Sequence, residues 1–311
     1  MRILLLDRIG SFTGPLLHHW RDAGHEVTFC REAGAALRLL EDGGADRFDL
    51  VFLEWCDQAA AAVTASAPLG SSGPPVLLRL RSYERYTIWP RRVNWGVVDR
   101  VVFVHDHVLR DALDKHPCIP RQRCRVVHNG VDLTRFSFRD REVGAAPTVG
   151  WLGRVAPTKN VPLAFAVLDA LRRRHPEAEL RIAGPCQSGE LYDYVAAQVA
   201  SREGGARYDG EVADVDGWLK GVEVLLSTSV REGVPNAVLE AMAKGIKPVV
   251  HAWPGAESVF GPQQVWNTVD QAVDLITSEP EPRRYRRFVE EGYSLQKHKA
   301  EMDALAAEVC A

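Results

Sequence analysis

The sequence predicts an α/β protein built as two parallel-sheet domains, and three observations carry that expectation. Apolar runs of four or five residues alternate with helix-patterned segments from Arg2 onward. A polar stretch, Ser137 to Pro147, reads as an interdomain linker, and the alternation begins again at Thr148. At 311 residues the chain is long enough for two domains with separate cores.

In the first half, Arg2 to Leu6 reads as a strand, Pro15 to Ala23 as a helix and Glu26 to Cys30 as a strand. A helix around Ala35 to Glu41 precedes the strand Asp49 to Leu53. Gln58 to Ala65 is helical in pattern, Ser66 to Pro75 is a loop, and Val76 to Leu80 is a strand. A short helix is expected near Asn94 to Val98, then the strand Val101 to Val104, the helix His107 to Lys115 and the strand Arg125 to His128. Such alternation implies a parallel sheet with helices on both faces. The second half repeats it, giving two Rossmann-like domains facing across a cleft, with ligands expected at the carboxyl ends of the strands. The expected boundaries are 1–140 and 141–284, followed by a C-terminal helix over 285–311.

Composition narrows the function classes. Charged residues make up 25% of the chain and the net charge is −3, which speaks against a general nucleic-acid binder. The six cysteines are scattered, and Cys118, Cys124 and His128 match no usual zinc spacing. Free thiols in a reducing cytosol are the expected state, hence a cytoplasmic location. The run Ile3 to Leu6 is too short for a leader, and no apolar stretch reaches the ~18 residues of a membrane span. His105 and His107 flank Asp106, which reads as a helix start. Asp214-Val215-Asp216 reads as the cap of a short helix at Trp218, and no metal site is expected.

The most informative segment is S-V-R-E-G-V-P-N-A-V-L-E-A-M-A-K-G, Ser229 to Gly245, which carries Glu232 and Glu240. Val222 to Leu226 before it reads as a buried strand, Asn236 as the N-cap of a helix, Lys244 as its last turn and Gly245 as its C′ residue. Ile246 to Val250 is the next strand. Backbone N–H groups around Gly233 to Ala237, a stretch that includes Val234, Asn236 and the N–H-less Pro235, make a seat for phosphate with the positive helix end. Two carboxylates at the same place suit hydroxyls, so a nucleotide sugar accounts for both features. Taken alone, Glu240 could instead serve the helix dipole and Glu232 solvent. A second motif, T-V-G-W-L-G-R-V-A-P-T-K-N, runs a strand into Gly153 and presents Arg154 and Lys159 ahead of the helix Pro162 to Arg174. Cations are disfavoured beside a positive helix end, and a bound diphosphate resolves that conflict.

These residues resemble the C-terminal domain of the retaining GT-B glycosyltransferases of family 4, the glycosyl transferases group 1. The resemblance covers Thr148 to Val259, including the strand Ala178 to Pro185, Y-D-G-E-V at Tyr208 to Val212 and K-P-V-V-H. It extends back through V-V-H-N-G-V-D-L-T-R-F, Val126 to Phe136. It implies a sugar moved from a UDP- or GDP-sugar, with no other cofactor and no metal, to a glycan or small-molecule acceptor. Arg154 and Lys159 would face the leaving diphosphate, Glu232 the sugar and Glu240 the ribose. Base contacts would fall near Gly184, Glu211 and Val212. The first domain would hold the acceptor, and the last helix would pack back on it. An epimerase or hydrolase of the same fold, or a binding protein without turnover, is the alternative.

In the first domain, D-R-I-G-S-F-T-G places Gly10 and Gly14 in the turn that lines the acceptor side by resemblance. A single G-x-x-x-G falls short of the dinucleotide fingerprint, so a dehydrogenase using Glu32 is a rival of another class. Where relatives carry a histidine after the fourth strand, this chain has Arg81, within a stretch holding Arg79, Arg85, Arg91, Arg92, Tyr83, Tyr86, Trp89 and Trp95. Two readings stand: a solvated arm, or a site in which Arg81 and Tyr83 receive an anionic acceptor. Single-stranded nucleic acid fits the same chemistry less well. The tail from Pro282, rich in arginine, reads as helix, with membrane-surface contact as a second reading.

Overall fold

The computed structural model describes residues 1–10, 13–41, 47–66, 68–70, 73–140, 144 and 147–311. The expected linker, Ser137 to Pro147, and the loop Ser66 to Pro75 lie partly outside these. The chain divides into two compact units, Met1–Gly130 with Gln296–Ala311, and Val131–Leu295.

The first unit holds β1 (Arg2–Leu6), α1 (Gly14–Asp22), β2 (Glu26–Cys30), α2 (Ala33–Glu41), β3 (Leu50–Leu53), α3 (Gln58–Ser66), β4 (Val76–Leu80), β5 (Arg100–Phe103), α4 (Asp106–Lys115) and β6 (Cys124–Val126). Its sheet is parallel in the order β2-β1-β3-β4-β5-β6. Strands β3 and β4 are buried on both faces, as the unbroken apolar runs require of a sheet covered on both sides. One face packs on Leu40, Val63 and Val108, the other on Leu16 and Trp20.

The second unit holds β7 (Thr148–Leu152), α5 (Val161–Arg172), β8 (Glu179–Ala183), α6 (Gly189–Ala200), β9 (Ala206–Gly210), α7 (Val215–Leu219), β10 (Val224–Ser227), α8 (Asn236–Ala243), β11 (Lys247–His251), α9 (Ala256–Phe260), β12 (Val265–Trp266), α10 (Val269–Thr277) and α11 (Pro282–Tyr293). Its sheet is also parallel, in the order β12-β11-β10-β7-β8-β9. That is the doubly wound dinucleotide-fold order, with the chain reversing direction across the sheet between β7 and β10.

Several local readings change. The helix expected over the tail is two helices, α11 and α12 (Leu295–Cys310), separated by Ser294 in extended conformation. The bridge from Val131 to Ser294 takes the backbone out of the helix there. Pro235, not Asn236, occupies the cap position of α8, because Pro235 is extended and Asn236 already helical. His105, not Asp106, caps α4: its ring accepts from the His107 N–H. Asp214 does cap α7, accepting from the Gly217 N–H at 2.9 Å. Lys244 is fully buried and paired with Asp216, a partner the helix-end reading does not supply.

Candidate functional site

The reversal between β7 and β10 leaves an opening at the carboxyl ends of those two strands, which is where open α/β sheets bind ligands. The loop after β7 brings Gly153, Arg154 and Lys159 there, and the loop after β10 brings Ser229 and Glu232. Lys159 Nζ and Glu232 Oε1 are 2.5 Å apart, and Ser229 Oγ donates to the same oxygen at 2.7 Å. Two loops far apart in sequence are therefore joined by a charged pair.

The backbone beneath that pair is fixed. Val230 N–H donates to the Thr158 carbonyl at 3.0 Å, and Thr228 Oγ1 donates to the Lys159 carbonyl at 2.8 Å. Thr228 in turn accepts from the Trp151 indole on β7 at 2.9 Å. Asn160 adopts a left-handed conformation, φ 50°, which asparagine tolerates better than most residues, and α5 starts directly after it. Beyond Ser229, its carbonyl meets His251 Nδ1 at 3.0 Å, and the His251 ring lies edge-on to Trp266. Thr228, Ser229 and His251 were not singled out from sequence; the S-T-S at Ser227 to Ser229, two residues before Glu232, was the available signal.

Arg154 is exposed, on a backbone held on both sides: Gly153 N–H donates to the Ala183 carbonyl and Val155 N–H to the Pro185 carbonyl. Gly184 must be glycine, since an added Cβ would lie 2.0 Å from the Gly153 carbonyl oxygen. Its own N–H donates to the Gly210 carbonyl at 2.7 Å, and its carbonyl accepts from Tyr208 Oη at 2.7 Å. Glu211 and Val212 follow β9 directly, Glu211 exposed and Val212 partly buried. Gly233, Val234 and Pro235 are buried and Ala237 partly so, at the start of α8, where the first N–H groups have no helical acceptor. Glu240 sits in the body of α8; burial pushes its carboxyl above the usual range, and Arg135 pulls against that shift.

In the first unit, Arg81 is neither a solvated arm nor an open anion grip. It is 5% exposed, its Nε donates to Glu54 Oε1 at 2.7 Å, its Nη2 also pairs with that oxygen, and its Nη1 donates to Asn129 Oδ1 at 3.1 Å. Arg79 shares the same carboxylate, Nη1 to Oε2 at 3.4 Å, and donates to Met302 Sδ at 2.9 Å. Burial pulls the Arg79 guanidinium down to about 10. Arg85 is buried against Asp111, whereas Arg91 and Arg92 are exposed. Glu84, fully buried, accepts from the backbone of Arg81 and Ser82, and burial pushes its carboxyl up to about 7. Sequence reasoning missed Glu54. The signal was Arg79 inside an apolar strand, since a cation there demands a buried carboxylate.

Gly10 has φ 76° and donates to Asp7 Oδ1 at 2.9 Å; Gly14 begins α1. Asp7 also accepts from Thr13 Oγ1 and the Trp55 indole, and its hydrogen bonds hold its carboxyl below the usual range despite burial. Glu32 is exposed after β2. His105, His107 and His128 cluster after β5 and β6, and burial pulls His105 down to about 3. Among the described residues, no group of three or more His, Cys, Asp or Glu is arranged to hold a metal ion, and no helix is long and apolar enough to cross a membrane. Arg283, Arg284 and Arg286 of α11 pair with Asp140, Glu281 and Glu290.

Two parallel α/β units with these strand orders make a GT-B fold, which solved structures share. HepE of Anabaena, in a complex with UDP, is similar at TM-score 0.77 and 14% identity over 99% of this chain and 100% of that one. A glycosyltransferase of Rickettsia africae is similar at 0.76 and 12% identity over 99% and 98%. The lipopolysaccharide outer core galactosyltransferase WaaB is similar at 0.68 and 16% identity over 99% and 100%. Residues 146–275 match the family model described as Glycosyl transferases group 1. No curated protein matches the chain by sequence. The solved structures share the fold, and the family match falls within the second unit.

Proposed function

We propose that the protein transfers a sugar from a nucleoside-diphosphate sugar, of the UDP or GDP kind, to a hydroxyl acceptor, with retention at the anomeric carbon and without a metal ion. The Lys159–Glu232 pair at the β7/β10 reversal carries this reading. HepE, of the same fold, is described in complexes with UDP and with UDP-glucose, which agrees with it.

A donor seated at the reversal meets cations on its diphosphate side and carboxylates on its sugar side. Arg154 and Lys159, with the first N–H groups of α8, stabilise the charge that grows on the departing diphosphate. Glu232 holds hydroxyls of the transferring sugar, and Ser229 keeps its carboxylate aimed. Glu240 accepts from the ribose hydroxyls. The acceptor oxygen bonds to the anomeric carbon as the carbon–phosphate-oxygen bond breaks on the same face. The acceptor proton passes to that phosphate oxygen, so no protein base is required. The two glutamates are not a glycosidase pair.

Steady-state kinetics with calorimetry tests the assignment. Glu232→Gln should mainly lower kcat, because contacts to the reacting sugar strengthen as the anomeric carbon becomes cationic. Glu240→Gln should mainly raise donor KM and weaken free nucleoside diphosphate, because ribose contacts are alike in ground and transition states. The opposite split would reverse the roles, and unchanged donor kinetics in both variants would remove the reading's main support.

Transfer should also survive chelation, since Arg154 and Lys159 supply the charge a divalent ion supplies elsewhere. Activity abolished by EDTA and restored by Mn²⁺ or Mg²⁺ would contradict this leaving-group chemistry.

A further inference from the structure

Glu232 takes a hydrogen bond from the Ser229 hydroxyl, so whatever fixes Ser229 bears on where that carboxylate points. The peptide group joining Ser229 to Val230 is held at both ends. Its N–H donates to the Thr158 carbonyl at 3.0 Å, and its carbonyl oxygen lies 3.0 Å from His251 Nδ1. Thr158 belongs to the loop after β7, and His251 is the last residue of β11. One peptide plane, three residues before Glu232, is thus gripped from two neighbouring elements.

The sheet explains why His251 stands there. The β10–β11 ladder ends at Ser227 and Val250. One residue on, the His251 backbone pairs with Trp266 of β12, and its side chain takes over the link to the segment leaving β10. The ring meets the Trp266 ring edge-on with centroids 4.8 Å apart, which sets its orientation. A carbonyl oxygen only accepts, so Nδ1 carries the hydrogen and donates it. Such a role needs a fixed N–H and no proton transfer. Without it, the Ser229–Val230 peptide is left to pivot on the Thr158 bond, and a pivot withdraws the Ser229 hydroxyl from Glu232.

We infer that His251 is a positioning residue for Glu232: its ring fixes the Ser229–Val230 peptide, and through it the hydroxyl that aims the carboxylate. The inference rests on the reading in which Glu232 holds the transferring sugar.

Nucleoside diphosphate release is followed with UDP-glucose, UDP-galactose, UDP-N-acetylglucosamine and GDP-mannose, and UDP and GDP are titrated by calorimetry. On the nucleotide sugar turned over fastest, His251→Phe, which keeps a ring against Trp266 and loses the N–H, should lower kcat about tenfold, the size of one lost hydrogen bond. Its KM and diphosphate affinity should stay within about twofold of the parent, because contacts to the sugar strengthen as its bond breaks. His251→Asn, whose amide offers an N–H at similar reach, should bring kcat back to within about threefold. Placed on Glu232→Ala, His251→Phe should cost less than about twofold more, since no carboxylate is left to aim. Should His251→Phe not fold, as judged by thermal unfolding, His251→Ala makes the same comparison, and added imidazole should restore part of its rate.

A full-rate His251→Phe enzyme overturns the inference. So do equal losses in His251→Phe and His251→Asn, a loss of diphosphate affinity as large as that of kcat, or a loss that multiplies with Glu232→Ala; each of these marks a packing role and leaves the donor reading standing. A protein that binds neither diphosphate, turns over none of these nucleotide sugars, or keeps its kcat in Glu232→Ala loses the donor reading, and this inference with it.

Discussion

Arg154→Ala should lower kcat by roughly 10²–10³, the loss expected when one preorganised donor to a developing anion is removed, about 2.7–4 kcal/mol. The side chain is exposed and its neighbours' backbone bonds, Gly153 to Ala183 and Val155 to Pro185, do not depend on it. Folding should therefore be untouched, and thermal unfolding should match the parent protein. Diphosphate affinity should fall less than kcat, because the charge on the leaving group grows as the bond breaks. Arg154→Lys should recover part of the rate, since a point charge replaces a planar fork. Rate measurements at saturating donor, with UDP and GDP titrations beside them, check each statement. A full-rate Arg154→Ala enzyme would remove Arg154 from the reaction.

The second large effect is on stability. Glu54→Ala should destabilise the first unit by about 3–5 kcal/mol, because it strands two buried guanidinium groups. Arg79 has little recourse: it lies over Phe52 at 5.3 Å and beside Met302, at 1% exposure. Arg79→Met should cost less, since Arg81 still neutralises Glu54 and a thioether suits an apolar strand. Urea unfolding followed by tryptophan fluorescence compares the two. Equal losses would mean that packing, and not charge, dominates there.

The fold was largely legible because its strands are unbroken apolar runs. Val76 to Leu80 and Glu26 to Cys30 match their strands residue for residue, and α5 differs from its expected range by a residue or two. Caps were less legible. Proline satisfied the backbone requirement at α8 and a histidine ring did so at α4, where side-chain preference pointed to Asn236 and Asp106. In the second unit, Arg154, Lys159 and Glu232 stand out in short-range motifs, and the structure pairs Lys159 with Glu232. What sequence could not show was pairing across strands. Glu54 and Arg81 are brought together by the β3/β4 register, which no local pattern encodes. Neither sequence reading of Arg81, a solvated arm or an anionic-acceptor site, includes that pairing.

The division of the chain has a consequence for biosynthesis. All of the second unit lies between residues 131 and 295, whereas the first unit is finished by Gln296–Ala311. Met302, Leu305 and Ala306 fill one face of the first sheet, and Asp303 accepts from the Trp20 indole at 2.9 Å. A ribosome delivering this chain thus supplies every strand of the later unit before the earlier one can close its core. The first-made part of the protein is the last to be completed, and its open face must wait in solution, or under a chaperone, until α12 emerges.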